Sequence, residues 1–328
     1  MRLIGLAVIL AVSFLVAALD AGAQQTAAIP RIGYLTPSSR PGGTIAINAF
    51  RDGLREHGYI DGSNVVIEPR FADGYERVPV LLAELLNLKV DVLVVATTPV
   101  ALAAHRATST VPIVFAPVSD PVGSGLVASL ARPGGNVTGY SDIAADLAQK
   151  RLALLSEVVP RMSRVGVLRH ADNPGSRIAS KELESAAPQI GLKLYHVDVR
   201  HAADLEAAFT TLTRAHVQSL IAIADIHMVD YVPAVAGLAT SRRLPLMGFG
   251  RRWSEAGALL SYGAAATQLE WSRQAAVYVV KILNGAKPAE LPVQQPTKFE
   301  LIINLKTAQA LGITFPPSLL VLADEVIR

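Results

Sequence analysis

Thr97-Thr98-Pro99 is the most chemically suggestive triplet in this chain of 328 residues. A hydroxyl residue ahead of proline starts a helix well, because threonine caps a free backbone N–H and proline has none to leave stranded. Such a start offers unbonded N–H groups and the positive end of a helix dipole, which suit a carboxylate or another anion. The same triplet also serves as a plain helix cap with no ligand. Asp120 and Asp225 are carboxylates at equivalent levels of the two halves of the chain, suited to a ligand ammonium, to sugar hydroxyls, or equally to capping a helix. Thr36, Ser39 and Asn173 offer neutral hydrogen bonds. Tyr34, Tyr140, Phe249 and Tyr262 offer apolar wall, although aromatic residues at such spacing also fill cores and hinges. The ligand-binding set expected from these residues is Thr36, Ser39, Thr97, Thr98, Asp120, Asn173, Asp225 and Tyr262.

Groupings that would cut or transfer bonds are missing. The chain has no G-x-S-x-G, no Walker loop, no H-E-x-x-H and no paired histidine spacing for a metal. Gly248-Phe249-Gly250 lacks the third glycine and the downstream acid of a dinucleotide fingerprint. With no cysteine there is no disulfide, thiolate metal site, cysteine nucleophile or lipid-modified N-terminal cysteine. The expectation is a protein without metal, cofactor or catalysis. The net charge of +3 comes from 30 basic residues in no dense run, so no nucleic-acid footprint is present.

The elements that must position these residues repeat. Short apolar runs alternate with amphipathic stretches, the pattern of a parallel sheet covered by helices. Strands are predicted at 31–35, 64–71, 90–96 and 112–117, with helices at 44–57, 75–88 and 100–108 between them. The order recurs, with strands at 164–168, 192–199, 219–224 and 245–249 and helices at 176–190, 203–214 and 229–241. Gly33 and Gly166, Gly58 and Gly191, and Pro112 and Pro245 are each 133 positions apart. A duplicated α/β unit explains that register. Ligands of open parallel sheets sit beyond the carboxyl ends of the strands, so two facing lobes enclose a cleft with a binding wall on each side. Closure around a solute would then be a hinge motion.

Met1-Arg2, the apolar run Leu3 to Leu19 and the small residues Ala21-Gly22-Ala23 form a cleavable export signal over residues 1–23. No later stretch approaches the ~20 apolar residues of a membrane span. The expected compartment is the periplasm.

Several stretches resemble one known family. Phe50-Arg51-Asp52-Gly53-Leu54 with His57-Gly58-Tyr59 is one. Asp120-Pro121-Val122-Gly123-Ser124-Gly125-Leu126-Val127 with 131–139, Ala-Arg-Pro-Gly-Gly-Asn-Val-Thr-Gly, is the most specific. The stretches 256–263, 281–288 and 304–308 complete the set. They resemble the ABC transporter substrate-binding proteins of the tryptophan/tyrosine type, over nearly the whole mature chain. The resemblance implies a periplasmic binding protein of type I, an α/β fold with two Rossmann-like lobes joined by a three-strand hinge. It implies a small-molecule ligand delivered to an ABC permease and ATPase in the inner membrane, and a monomer. Members with assigned ligands bind aromatic amino acids, but the family is broad, so an amino acid or similar carboxylate is as far as the substrate is specified. A ligand sensor presenting its loaded form to a membrane receptor is the alternative. Lobe I is expected over 30–138 plus about 264–292, and lobe II over 139–263 plus about 293–328. Within this scheme Pro133 to Gly139 forms the first crossover, the helix Gln268 to Leu283 folds back on lobe I, and Pro288 to Pro296 forms the last crossover.

Overall fold

Gly33 shows how the sheets are packed. In this computed structural model, which describes residues 29–225, 227–265 and 267–328, a Cβ on Gly33 would stand 2.9 Å from Leu93 and 3.3 Å from Leu85. Only glycine lets a strand and a crossover helix close on it together. The signal predicted over residues 1–23 lies outside the described residues.

The first lobe runs β1 (Arg31–Thr36), α1 (Arg40–Arg55), β2 (Val66–Phe71), α2 (Val78–Asn87), β3 (Val92–Val95), α3 (Thr98–Ala107), β4 (Ile113–Val118) and β5 (Val137–Ser141). Its five strands are parallel in the order β2-β1-β3-β4-β5. The second lobe runs α4 (Ala148–Val158), β6 (Arg164–His170), α5 (Pro174–Ala186), β7 (Lys193–Val199), α6 (Leu205–Arg214), β8 (Ser219–Ala222), α7 (Val232–Ser241), β9 (Leu246–Gly248), α8 (Arg251–Glu255) and β10 (Leu260–Ala264). After α9 (Gln268–Leu283) the chain adds β11 (Phe299–Asn304), α10 (Leu305–Leu311), α11 (Pro317–Leu322) and β12 (Glu325–Ile327). The second sheet is ordered β7-β6-β8-β9-β10-β11-β12, and its first five strands repeat the order of the first sheet. Among the described residues the β10–β11 pairing alone is antiparallel.

The duplication is visible in side chains. Gly166, third in β6 as Gly33 is third in β1, abuts Leu220 of β8 and Leu212 of α6. These correspond to Leu93 of β3 and Leu85 of α2. Strand β3 is buried at every position, as β8 is, because helices cover both faces. Helix α9 packs on α1, burying Ala275, Ala276 and Val279 with Ile47, Phe50 and Leu54. Each large apolar side chain so buried contributes about 1.5–3 kcal/mol.

Three extended segments join the lobes and bond to one another. Gln294 N–H donates to the Gly139 carbonyl at 3.0 Å, Ser141 N–H to the Gln294 carbonyl at 2.8 Å, and Ala265 N–H to the Lys298 carbonyl at 3.0 Å. The first crossover comes later than the sequence suggested. Residues 137–141 pair with β4 and belong to the first sheet, so the chain leaves that lobe only after Ser141. Residues 142–163, which carry no clear periodic signal, hold α4. Among the described residues no helix is long and apolar enough to cross a membrane.

Candidate functional site

The carboxyl ends of the strands in both sheets converge on one cavity of about 380 Å³. From the first lobe it is lined by Thr97 and Thr98 beyond β3 and by Pro117 and Ser119 at the end of β4. From the second it is lined by Asn173 beyond β6, Asp225 beyond β8, and Phe249 and Trp253 around α8. Asp142 comes from the first crossover, Arg151 from α4 and Trp271 from α9. The volume falls within the range of small-molecule sites, and mixed aromatic and polar lining is usual there.

Thr97 is the strained point of the wall. Its backbone lies at φ 73° and ψ 153°, a region that a β-branched residue enters only at a cost of about 1–3 kcal/mol. The fold enforces it. Thr97 N–H donates to the Pro117 carbonyl at 3.0 Å, and Thr97 in turn accepts the first helical bond of α3 from Ala101 N–H at 3.0 Å. Thr98 Oγ1 accepts from Ser119 N–H at 3.2 Å and so ties the helix to β4. The Thr97 hydroxyl does not cap the helix, as the sequence reading expected, and the residue is buried.

Arg151 and Asp142 form the floor. Arg151 is 4% exposed, and burial lowers its pKa to about 10 against the opposing attraction of Asp142. Its Nε donates to the Tyr262 carbonyl at 2.7 Å and Nη1 to the Ala144 carbonyl at 3.2 Å. No hydrogen bond involves Nη2 among the described residues. Asp142 Oδ1 accepts from Ser119 Oγ at 2.8 Å and from Ala144 N–H at 2.9 Å, which leaves Oδ2 without a bond among the described residues. Burial raises the pKa of Asp142 above the usual carboxylate value, with its hydrogen bonds opposing. Asp225, Asp230, Arg251, Arg252, Glu255 and Glu300 also border the cavity, but Arg151 and Asp142 are the pair that each keep an edge without a hydrogen bond among the described residues, where no ion pair joins them.

Of the residues anticipated from sequence, Thr97, Thr98, Asn173 and Asp225 line this cavity. The other four lie off its wall, each for a local reason. Asp120, at φ 44°, turns its carboxylate onto Gly123 N–H at 2.8 Å and closes its own loop. Thr36 is buried and accepts from Ser38 N–H at 3.2 Å. Ser39 donates across the lobes to Asp230 Oδ2 at 3.2 Å. Tyr262 turns its ring to Phe299, with centroids 6.3 Å apart, and takes part only through the carbonyl that holds Arg151. Sequence reasoning missed Asp142, Arg151, Trp253 and Trp271. The only local signal for the first two is a pair of opposite charges flanking the crossover.

The lobes touch at the mouth. Tyr75, in the loop before α2, donates to both Asp225 oxygens, at 3.2 and 3.4 Å, and its ring stands edge-on to His170 at 4.9 Å. Asn173 Nδ2 donates to Asp225 Oδ2 at 2.6 Å, and Met228 N–H donates to Oδ1 at 3.3 Å. Glu76 and His201 face each other at 3.7 Å on the outer rim.

Two α/β lobes on a three-strand hinge, closed over one polar and aromatic cavity, define a solute-binding protein of the periplasmic type I architecture. Within that class the chain belongs to the ABC transporter substrate binding protein family, whose model matches residues 31–327. A tyrosine-binding protein of Clostridioides difficile is 28% identical over 274 residues, covering 82% of this chain and 76% of that one. An ABC domain from Streptococcus pneumonia, solved in complex with L-Trp, is 30% identical over 91% of this chain and 99% of its own, with a TM-score of 0.81. A substrate binding protein with adhesive properties from Clostridium difficile, solved ligand-free and open, is 25% identical over 92% of this chain and 99% of its own, with a TM-score of 0.62.

Proposed function

We propose that this protein is the exported receptor of an ABC importer and captures a free α-amino acid with a large, aromatic side chain. The observation that carries the reading is the cavity floor. An α-amino acid is a zwitterion, and Arg151 Nη2 and Asp142 Oδ2 present one free donor edge and one free acceptor edge in the same closed space. Leaving a buried charge unpaired is costly, so each is completed by the ligand group of opposite sign. Arg151 takes the carboxylate and Asp142 the ammonium. Thr97 and Thr98 border the same volume. Phe249, Trp253 and Trp271 supply the apolar wall. The solutes named for the tyrosine-binding relative and the L-Trp complex are of this class. The chain's leader supports delivery to the periplasm, and the family description supports partnership with a membrane permease and ATPase. The protein relocates its solute and performs no covalent chemistry on it.

Isothermal titration of the mature protein tests the assignment. L-tryptophan, L-tyrosine or L-phenylalanine is expected to bind. Tryptamine, which lacks the carboxylate, and indole-3-propionate, which lacks the ammonium, are expected to bind at least ~100-fold more weakly, since each strands one buried charge. Tryptamine binding as tightly as L-tryptophan would remove the role given to Arg151.

A further inference from the structure

We infer that Tyr75 and Asp225 are a latch between the lobes, which sets how long the solute is held rather than which solute is chosen. The inference rests on the receptor reading above and moves Asp225 from the ammonium role anticipated for it to that of a positioning residue. Asp225 is 5% exposed and belongs to the second lobe; Tyr75 reaches it from the first. Two groups of the second lobe, Asn173 Nδ2 and Met228 N–H, hold the carboxylate in place from their own side. The acceptor is therefore oriented before the lobes meet, and the Tyr75 hydroxyl completes its shell only on closure. His170 fixes the tyrosine ring from the side. Burial, then the neighbouring Asp225 charge, pushes the Tyr75 hydroxyl well above its ordinary pKa, so it stays a donor at every physiological pH. Tyr75 does not line the cavity, whereas Asp225 does at one edge. A change at Tyr75 therefore reports on closure without direct contact with the solute, and reaches the cavity wall only through the side chain of Thr97, to which its hydroxyl also bonds. Asn173 doubles as the cap of α5, accepting from Gly175 N–H at 2.9 Å, so the latch is anchored to the framework of the second lobe.

Hydrogen bonds to charged groups are the strong ones, and losing this one removes the donor that Asp225 receives from the other lobe. Tyr75→Phe keeps the ring and its contact with His170. It is expected to raise the dissociation rate of L-tyrosine about tenfold while changing the association rate by less than about threefold. The rates are followed through Trp253 and Trp271 fluorescence, excited where only tryptophan absorbs. The order of affinity among L-tryptophan, L-tyrosine and L-phenylalanine stays as in the parent. An unchanged dissociation rate, or a changed order of preference, overturns the latch. Asp225→Asn combined with Tyr75→Phe should slow or speed release little beyond either change alone, because both break one bond; fully additive effects count against it. A second measurement stands apart from the solute assignment. The chain has no cysteine, so Val80→Cys and Ile190→Cys, both at exposed sites on different lobes, accept a dye pair for single-molecule distance measurement. Without any solute, visits to the closed state should be about tenfold shorter in Tyr75→Phe. Equal dwell times overturn the latch even if none of the three amino acids proves to be the solute.

Discussion

Thr97 carries a backbone conformation that its side chain opposes, at φ 73° and ψ 153°. Strain of this kind persists where the surroundings over-determine it, and it concentrates at binding sites. Thr97→Gly should relieve it and raise Tm by about 2 °C in thermal unfolding, after the entropic penalty of glycine is subtracted. The same change should weaken L-tryptophan binding about fivefold through loss of one hydroxyl from the cavity wall. Thr97→Ala is the control, since it loses the hydroxyl but keeps the strain, so it should weaken binding without raising Tm. A second residue-scale prediction concerns Asp142. Its folded-state pKa is raised by burial, so over the interval above the unfolded value of 3.8 the folded protein binds more protons than the unfolded chain. Stability of the solute-free protein therefore increases as pH falls through that interval. A bound ammonium needs the charged carboxylate, so the complex moves the opposite way. The Tm increment produced by L-tryptophan should shrink between roughly pH 7 and pH 4, where an ordinary carboxylate at ~3.9 would still be ionised over most of the range. Asp142→Asn should flatten that profile. Neither Asp142 nor Arg151 is legible in the sequence. A charged residue on an amphipathic stretch reads as a solvated face, and only the fold over it reveals that Arg151 is buried.

At the scale of elements, the contact between α1 and α9 shows why Gly53 stands in a stretch otherwise suited to helix. A Cβ there would come within 2.8 Å of the Arg273 carbonyl oxygen, 2.9 Å of Ala276 Cβ and 3.0 Å of Arg273 Cα. Two of the three are backbone atoms that cannot rotate away. In an open helix Gly→Ala gains about 1 kcal/mol from propensity. Here Gly53→Ala should instead lose about 1–3 kcal/mol and lower Tm, because the helices must part. A rise in Tm on thermal unfolding would mean that α9 is not seated on α1 as described. Periodicity and punctuation made most elements readable. The apolar runs around Leu93 and Leu220, the register of Gly33 with Gly166, and the bounds of the helix Gln268–Leu283 needed no structure. The Gln268 helix begins with a capping box in which Thr267 Oγ1 accepts from Glu270 N–H, a start that sequence announces. By contrast α4 begins at Ala148 with no side-chain cap, and α8 is only five residues long, so neither has a local signature. The turn at Asp120 misled for a related reason. An aspartate at a strand end has the same appearance whether it faces a cleft or caps its own loop, and the positive φ that decides the matter is invisible in composition.

For the whole molecule, the question is which contacts between the lobes hold it shut. Those at the mouth differ in burial. The Tyr75–Asp225 bond is enclosed, with the carboxylate 5% exposed. Ser39 reaches Asp230 Oδ2 through its hydroxyl at 3.2 Å and its N–H at 3.3 Å at a half-buried position. Glu76 and His201 stand 3.7 Å apart with both side chains more than half exposed. An exposed ion pair is worth about 0–1 kcal/mol and is screened by salt, whereas a buried hydrogen bond is not. Closure should accordingly be insensitive to ionic strength. The dissociation rate of L-tyrosine is expected to change by less than about threefold between roughly 50 mM and 0.5 M sodium chloride. Glu76→Gln should leave it within twofold, and Ser39→Ala should have an effect between those of Glu76→Gln and Tyr75→Phe. A tenfold acceleration by salt in the parent, abolished by Glu76→Gln, would place the closing force on the rim. The grip would then depend on the ionic strength of the medium, whereas an enclosed bond holds the lobes independently of it.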